Sequence, residues 1–109
     1  MTVTIREFER LDIRVGRVLE AQPISGYTKI LLVVVDVGSS KVQCIAGGAE
    51  FYKPDDFVGK RVIVLMNIEP KTVAGISSNA MLLAAEHKND SKPYWLTVDE
   101  DAPVGSKIK

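Results

Sequence analysis

Short apolar runs separated by turn residues dominate this chain and predict a protein built mainly from β-strands. The clearest run, residues 30–37, is β-branched and apolar on both faces, which is typical of a buried strand. A Gly-Ser-Ser turn follows, and polar and apolar residues then alternate over residues 41–46. This alternation predicts a hairpin partner whose polar side chains, including Gln43, lie on an open face.

Further strands are predicted at residues 61–66, 81–85 and 94–98 by similar apolar runs. In the first run, residues 12–21, the alternation changes phase after Gly16, and a glycine at such a point predicts a bulge or sharp bend. A strongly bent first strand is what a small closed barrel requires, because one strand then serves two sides of the barrel.

Two short helical segments complete the predicted elements. Thr4 and Glu7 have the spacing of a capping box and predict a short helix over residues 5–10. Residues 49–57 predict a helical turn between the third and fourth strands. Five strands with this helical connection follow the order of an OB-fold barrel, so we expect an all-β fold with short helices and additional N- and C-terminal elements, folded as one domain over residues 1–109.

Composition limits the classes of function. The chain has 109 residues, enough for a single core, although a second copy would help to bury apolar surface. Fourteen basic residues balance fourteen acidic residues, so the formal net charge is zero and no global field attracts polyanions. Any nucleic-acid site must therefore be a local patch.

Candidate chemistry is sparse. The lone Cys44 and the lone His87 form no metal-ligand spacing, and no nucleophile is accompanied by a recognisable base. We therefore expect a protein that is not an enzyme and needs no cofactor. The longest apolar run, residues 30–35, is too short to span a membrane, and neither a leader nor a disulfide pair is evident. A cytoplasmic protein without membrane contact is the expectation.

The stretch over residues 67–85 carries the most specific signal. It reads as an irregular loop after a strand, then a polar Ser77-Ser78-Asn79 turn, then an apolar strand that begins at Met81. A polar turn at the rim of a barrel presents hydroxyl, amide and thioether groups to whatever occupies the barrel mouth.

Six motifs in order closely resemble the tRNA-binding domain found at the C-terminus of many methionyl-tRNA synthetases, in small free-standing tRNA-binding proteins and in CsaA-like chaperones. They are Asp12-Ile13-Arg14-Val15-Gly16, Asp36-Val37-Gly38, Ile45-Ala46-Gly47-Gly48-Ala49, Val58-Gly59-Lys60, Asn67-Ile68-Glu69-Pro70-Lys71 and Ser78-Asn79-Ala80-Met81-Leu82-Leu83-Ala84-Ala85. The resemblance covers nearly the whole chain. It implies an OB fold, recognition of tRNA by shape and, for a free-standing protein, a homodimer formed through the terminal elements. We expect either such a free-standing homodimer or an accessory to methionyl-tRNA synthetase in trans.

The resemblance also implies that Lys29, Ser78 and Met81 contact tRNA. In this family a glycine usually precedes the methionine, whereas this chain has Ala80. A positive φ at that alanine would cost roughly 1 kcal/mol.

The residues themselves add Asn79, Lys71, Arg14 and Gln43 as candidates for RNA binding, because they are polar and lie on the turn, in the loop before it or on the open face of a strand. A purely structural role is also open, since turn residues often hydrogen-bond the local backbone and lysines are usually solvated. Tyr27 and Tyr52 have the rings to stack on an unpaired base or to pack in the core.

A different class of function also fits the resemblance. A CsaA-like chaperone would bind unfolded peptide through exposed apolar surface. Salt distinguishes the two classes, because phosphate binding weakens steeply as salt rises and apolar binding does not.

Overall fold

The computed structural model describes residues 1–109 and confirms the expected fold class of strands with a few short helices. Five antiparallel strands form one sheet in the order β3-β2-β1-β4-β7, which curves into a nearly closed barrel of the OB type. Two small hairpins, β5-β6 and β8-β9, extend it. The elements are α1 (Ile5–Glu9), β1 (Ile13–Pro23), β2 (Ile30–Asp36), β3 (Lys41–Gly47), α2 (Pro54–Phe57), β4 (Arg61–Leu65), β5 (Lys71–Val73), β6 (Ile76–Ser78), β7 (Met81–Leu82), β8 (Ala84–Glu86) and β9 (Pro93–Trp95).

Strand β1 serves two sides of the barrel, as its sequence predicts. Its first half pairs with β4 and its second half with β2, and Arg17 lies opposite a residue of each. The pairing register with β2 shifts between Val18 and Glu20, so the bulge lies there. The predicted irregularity in this strand is therefore found, two residues beyond the glycine after which the alternation changes phase.

Gly16 is required for close packing. A Cβ atom at this position would lie 2.5 Å from Val35 Cγ1 and 3.0 Å from Val64 Cγ2. The missing side chain thus lets β2 and β4 approach β1 from both sides, in the centre of the core.

One face of β2 contributes to the core of the barrel. Leu31, Val33 and Val35 are buried, whereas Leu32 and Val34 on the other face are partly exposed. The expectation that β2 is buried on both faces was therefore too strong. Phe57 of α2 is buried in the same core. The helical turn was predicted from its position in the sequence, but this contact was not.

The stretch over residues 67–85 contains more regular structure than its sequence indicates. The predicted loop is a β5-β6 hairpin whose turn residues Ala74 and Gly75 have φ of 55° and 76°. The predicted strand at residues 81–85 divides into β7, which pairs with β4, and β8, which pairs with β9. The expected final strand is also shorter, at Pro93–Trp95.

The N-terminal helix docks beside the barrel. The predicted capping box is confirmed, with the Glu7 amide donating to Thr4 Oγ1 at 3.1 Å and the Thr4 amide donating to Glu7 Oε1 at 3.0 Å. The helix ends at Glu9, one residue before the predicted end. Asn67 then accepts from the Asp12 amide at 2.8 Å and donates to the Arg10 carbonyl at 2.7 Å, which fixes the entry into β1.

The C-terminal segment lies along the first half of β1. Gly105 donates to the Val15 carbonyl at 2.8 Å, the Val15 amide donates to Ser106 at 2.9 Å, and Ile108 donates to the Ile13 carbonyl at 2.8 Å. Backbone groups of β1 that β4 leaves free are thereby satisfied, as buried amides and carbonyls require.

The crowding at Gly16 gives a stability prediction. Gly16→Ala should lower the free energy of unfolding by about 1–3 kcal/mol, because the new methyl group overpacks the core. Gly47→Ala is the matched control, since nothing lies within 4 Å of a Cβ there. Urea unfolding followed by circular dichroism measures both, and equal stability of the two variants would contradict the packing role of Gly16.

The buried thiol of Cys44 predicts a pH dependence. Burial raises its pKa to about 12, so the thiol stays neutral in the folded chain while the unfolded chain ionises at lower pH. Stability from this residue is therefore complete below the unfolded pKa and is lost as pH rises toward 12. Unfolding free energies measured from pH 8 to 11 should fall less steeply for Cys44→Ala than for the unchanged chain, and parallel curves would contradict this account.

Candidate nucleic-acid interface

The free edge of β3 meets the end of the β5-β6 hairpin, and three hydrogen bonds close the barrel there. The Ile45 amide donates to Ser78 Oγ at 3.1 Å, and the Asn79 amide donates to the Gln43 carbonyl at 3.0 Å. The Gln43 side chain donates through Nε2 to the Ser77 carbonyl at 2.9 Å. We call this set of contacts the barrel closure. It brings three of the sequence-predicted residues, Gln43, Ser78 and Asn79, into direct contact.

The side chains of Ser78 and Gln43 thus form hydrogen bonds of the barrel closure. Ser78 Oγ also lies 3.3 Å from the Ala80 carbonyl, to which it donates, so its proton and one lone pair are used within the chain. Both side chains are only partly exposed. Their first role is therefore to fix the position of the residues that follow, with one Ser78 lone pair left for an external donor.

Asn79 and Met81 present the groups that point outward. The Ser77 hydroxyl donates to Asn79 Oδ1 at 2.7 Å, which orients the Asn79 amide while its nitrogen has no partner in the chain. Met81 pairs with Leu65 in the sheet, yet 41% of it is exposed. An oriented amide donor and a partly exposed thioether therefore lie two positions apart at the end of the β5-β6 hairpin.

Two exposed lysines flank the closure. Lys71 lies directly opposite Ser78 in the β5-β6 hairpin. Lys29 immediately precedes β2, at the end of the β2-β3 pair where Ile30 lies opposite Gly47. Neither ammonium group has a carboxylate within ion-pair distance, because the chain contains only one ion pair and it lies elsewhere. Both charges are therefore available to an external anion.

Arg14 is held by an ion pair within the chain. Its Nε lies 2.8 Å from Asp12 Oδ1 in that single ion pair, and its backbone bridges to Lys107 of the C-terminal segment. The hydrogen bond from Arg14 lowers the pKa of Asp12, and the same bond raises the pKa of Arg14. Along β1, Arg14 is six residues before Glu20, which shares a row with Gln43. Across β4, Arg14 shares a row with Leu82, next to Met81.

The two tyrosines have different surroundings. Tyr52 packs edge-on against Phe57, and its hydroxyl donates to the Pro93 carbonyl at 2.8 Å, which is a core role. Tyr27 is 49% exposed in the loop before Lys29. Ala80, the position where a strained φ was considered, is buried and has no positive φ, and the left-handed conformation falls on Ala74 instead.

The sequence does not predict that the Ser77 hydroxyl orients the Asn79 side chain or that the Gln43 side-chain amide donates to the Ser77 carbonyl. No local pattern indicates these two contacts, because they form where two distant edges of the sheet meet.

The chain contains no group of three or more His, Cys, Asp or Glu side chains placed to hold a metal ion. Neither helix is long and apolar enough to cross a membrane. The arrangement can bind through hydrogen bonds, a thioether and positive charge.

Comparison with known families decides the class of protein. The model of a family described as "Putative tRNA binding domain" matches residues 13–107, which includes the whole barrel and most of the C-terminal segment. The chain belongs to this tRNA-binding domain family. The expected resemblance is thereby confirmed, and the matched residues include both strand edges that meet at the barrel closure.

Individual relatives of the tRNA-binding domain support this assignment. The methionine–tRNA ligase of Methanocaldococcus jannaschii is 42% identical over 107 residues, which is 98% of this chain but only 16% of that protein. The crystal structure of a MetRS related protein from Pyrococcus horikoshii has a TM-score of 0.94 at 30% identity and covers 100% of this chain and 99% of its own. The chaperone CsaA from Bacillus anthracis has a TM-score of 0.88 at 25% identity, with 100% of both chains covered.

The barrel closure of this tRNA-binding domain gives the next prediction. Ser78→Ala should lower the free energy of unfolding by about 1–3 kcal/mol, because the Ile45 amide and the Ala80 carbonyl both lose a partner. Ser77→Ala is the control, since Ser77 contributes only its carbonyl to the closure, and should change stability by less than about 0.5 kcal/mol. Urea unfolding measures both. If Ser78→Ala is as stable as the control, the hydroxyl does not hold the edge.

Proposed function

We propose that this chain binds tRNA by its folded shape rather than its sequence, through the rim of the barrel beside the barrel closure. The observation that carries the proposal is that Lys71 lies opposite Ser78, next to the oriented Asn79 amide, and that Lys29 begins the strand paired with β3, in a chain of the tRNA-binding domain family. Two unpaired ammonium groups suit phosphates, which fix position and orientation without reading bases.

Several features support recognition of shape. The formal net charge is zero, so attraction to RNA depends on this local patch and not on the whole molecule. The outer face of β2 and β3 carries Leu32, Val34 and Ile45, all partly exposed, and no aromatic ring on which a base would stack. Phosphate contacts and an amide donor at a fixed rim therefore carry the recognition.

We further propose that the chain acts as a homodimer, either free-standing or in trans with a methionyl-tRNA synthetase. It spans about one sixth of the length of the ligases that it matches, which is consistent with a binding module that accompanies a larger enzyme and is not itself catalytic. Val3 and Ile5 at the N-terminus are 70% and 73% exposed and, with Leu11, offer an apolar surface for a second copy. Two sites on one dimer would add avidity if one tRNA reaches both.

We also propose that residues 1–109 form one folding domain and that the protein lies in the cytoplasm. Both terminal segments hydrogen-bond to β1 or its neighbours, so they should unfold together with the barrel. The single cysteine is buried and has no partner for an internal disulfide, which fits a reducing compartment.

A CsaA-like peptide-binding function is the second candidate. It is favoured by the full-length similarity to the Bacillus anthracis protein that is described as a chaperone, and by apolar side chains exposed on several sides of the chain. On that alternative the bound ligand would be an unfolded segment, and binding would hold or strengthen as salt rises.

Salt dependence tests the tRNA proposal directly. Filter binding of unfractionated tRNA from 50 to 300 mM salt should show affinity falling with salt, and Lys29→Gln or Lys71→Gln should each reduce the logarithmic salt slope by roughly 0.7–0.9. Lys109→Gln removes the same charge from the C-terminus and should leave the slope unchanged.

The contrary results are equally specific. Equal slopes for all three lysine variants would place the site elsewhere. Retention of an unfolded, apolar peptide but not of tRNA at high salt would favour the chaperone function. Sedimentation of the chain and of Ile5→Asp over a range of concentrations tests the dimer, which predicts a monomer for the variant.

A further inference from the structure

A second candidate site lies outside the barrel rim, in an open cleft of about 1290 Å³ between α2 and the segment that follows β9. Small-molecule sites are typically about 300–1,000 Å³, so the size of this cleft suits a segment of a polymer better than a single metabolite. We call it the aromatic cleft, because Phe51, Tyr94 and Trp95 line it.

The floor of the aromatic cleft holds cations that the chain does not neutralise. Arg17 and Arg61 lie directly opposite each other on β1 and β4, so two like charges share one face of the sheet, an arrangement that destabilises a strand pair. Lys60 adjoins them in the same lining. None of the three has a carboxylate within ion-pair distance. Arg61 Nε donates to the Ala102 carbonyl at 3.4 Å, and an external anion between the two arginines would offset their repulsion further.

The walls offer surfaces for flat rings. Phe51 and Tyr94 are 43% and 45% exposed, although aromatic rings of a monomer are usually better covered. Trp95 packs behind them against Phe57, with ring centroids 5.5 Å apart, and its Nε1 is buried without a hydrogen-bond partner. Buried indole nitrogens normally find an acceptor, but this one is covered by the chain and is not a contact for a ligand.

The remaining lip is acidic. Asp99 and Glu100 line it, and neither side chain has a hydrogen-bond donor within the chain, whereas Asp56 already accepts from the Lys53 amide at 2.8 Å. With three cations and three carboxylates in the lining, a long polyanion has no overall attraction to the cleft. A short segment that combines an anion, a flat ring and hydroxyl or amino donors matches it group by group.

We propose that the aromatic cleft holds unpaired nucleotides of the bound RNA. The phosphate lies over Arg17, Arg61 and Lys60, a base stacks on Phe51, and ribose hydroxyls or base amino groups donate to the acidic lip. Tyr94 borders the stacked base but already has the Lys92 ammonium over its ring, 5.5 Å from the centroid. Positive grooves with aromatic platforms are how single strands are generally held. The inference rests on the proposed function and deepens it, because the barrel rim would then follow folded RNA while this second site takes its unpaired nucleotides.

Trp95 supplies the measurement, because it is the only tryptophan in the chain. Its fluorescence should be quenched saturably by a single-stranded uridine tetranucleotide, and not by a blunt RNA duplex of twelve base pairs at the same phosphate concentration. Unchanged emission with the tetranucleotide, at protein concentrations that retain tRNA on a filter, would overturn the cleft proposal and leave the proposed function standing. Loss of tRNA retention in the unchanged chain would instead remove the function on which both rest.

Matched variants test the assigned groups. Arg17→Gln should weaken tetranucleotide binding by roughly fivefold and lower its salt slope by about 0.7, whereas Arg6→Gln on α1 removes the same charge and should change neither. Phe51→Ala should weaken binding by fivefold or more, since one stack is worth at least that factor, while Phe51→Tyr, which keeps the ring, should not.

Three outcomes count against the cleft. Equal affinities for Arg17→Gln and Arg6→Gln would reduce the effect to net charge. Tighter binding of an acidic, aromatic hexapeptide than of the tetranucleotide would identify the occupant as polypeptide. A shift from dimer to monomer in Phe51→Ala would show that a second copy covers the cleft.

Discussion

The arrangement of this domain depends on how the free edge of β3 is satisfied. An open sheet of five strands leaves backbone groups exposed at both edges, and a barrel must satisfy them or expose them to water and to other chains. Here the closure uses a serine hydroxyl and a glutamine amide in addition to backbone bonds, at Ser78 and Gln43. The same contacts that close the fold therefore fix the geometry of the rim.

This coupling explains why binding and stability cannot be assigned to separate residues at the rim. The backbone N–H of Asn79 takes part in the closure. Its side-chain nitrogen has no partner in the chain, while the Ser77 hydroxyl donates to its side-chain oxygen Oδ1. A rigid donor binds with less loss of conformational entropy than a mobile one. The flanking lysines, in contrast, are long, exposed and flexible, which suits charges that must follow a curved phosphate backbone rather than one atom.

Local patterns in the sequence predicted the elements whose cause is local. The capping box at Thr4 and the alternation in β3 each depend on neighbouring residues, and both are found as predicted. The β5-β6 hairpin was missed because Ala74 occupies a turn position that glycine or asparagine usually marks.

The remaining differences arise from contacts between distant residues. Gly16 resembles a bulge residue in the sequence, but its role is set by side chains of two other strands. Arg14 lies at a polar position of its strand, as expected of a binding residue. Its side chain, however, is paired with Asp12, and its backbone bridges to the C-terminal segment. The aromatic cleft has no sequence signature, because its arginines are 44 positions apart and meet only through strand register.

The attachment of the C-terminal segment to the first half of β1 has a geometric consequence. Ile108 is bonded to Ile13, and Asp12 is bonded to Asn67 beside α1, so the beginning and the end of the chain emerge from the same region of the barrel. A covalent tether at either end would leave from that common exit, far along β1 from the row that contains Gln43. Met81 lies in the row of Ile13 and Leu65, so a carrier protein joined there would lie beside that side of the rim and would restrict access to it.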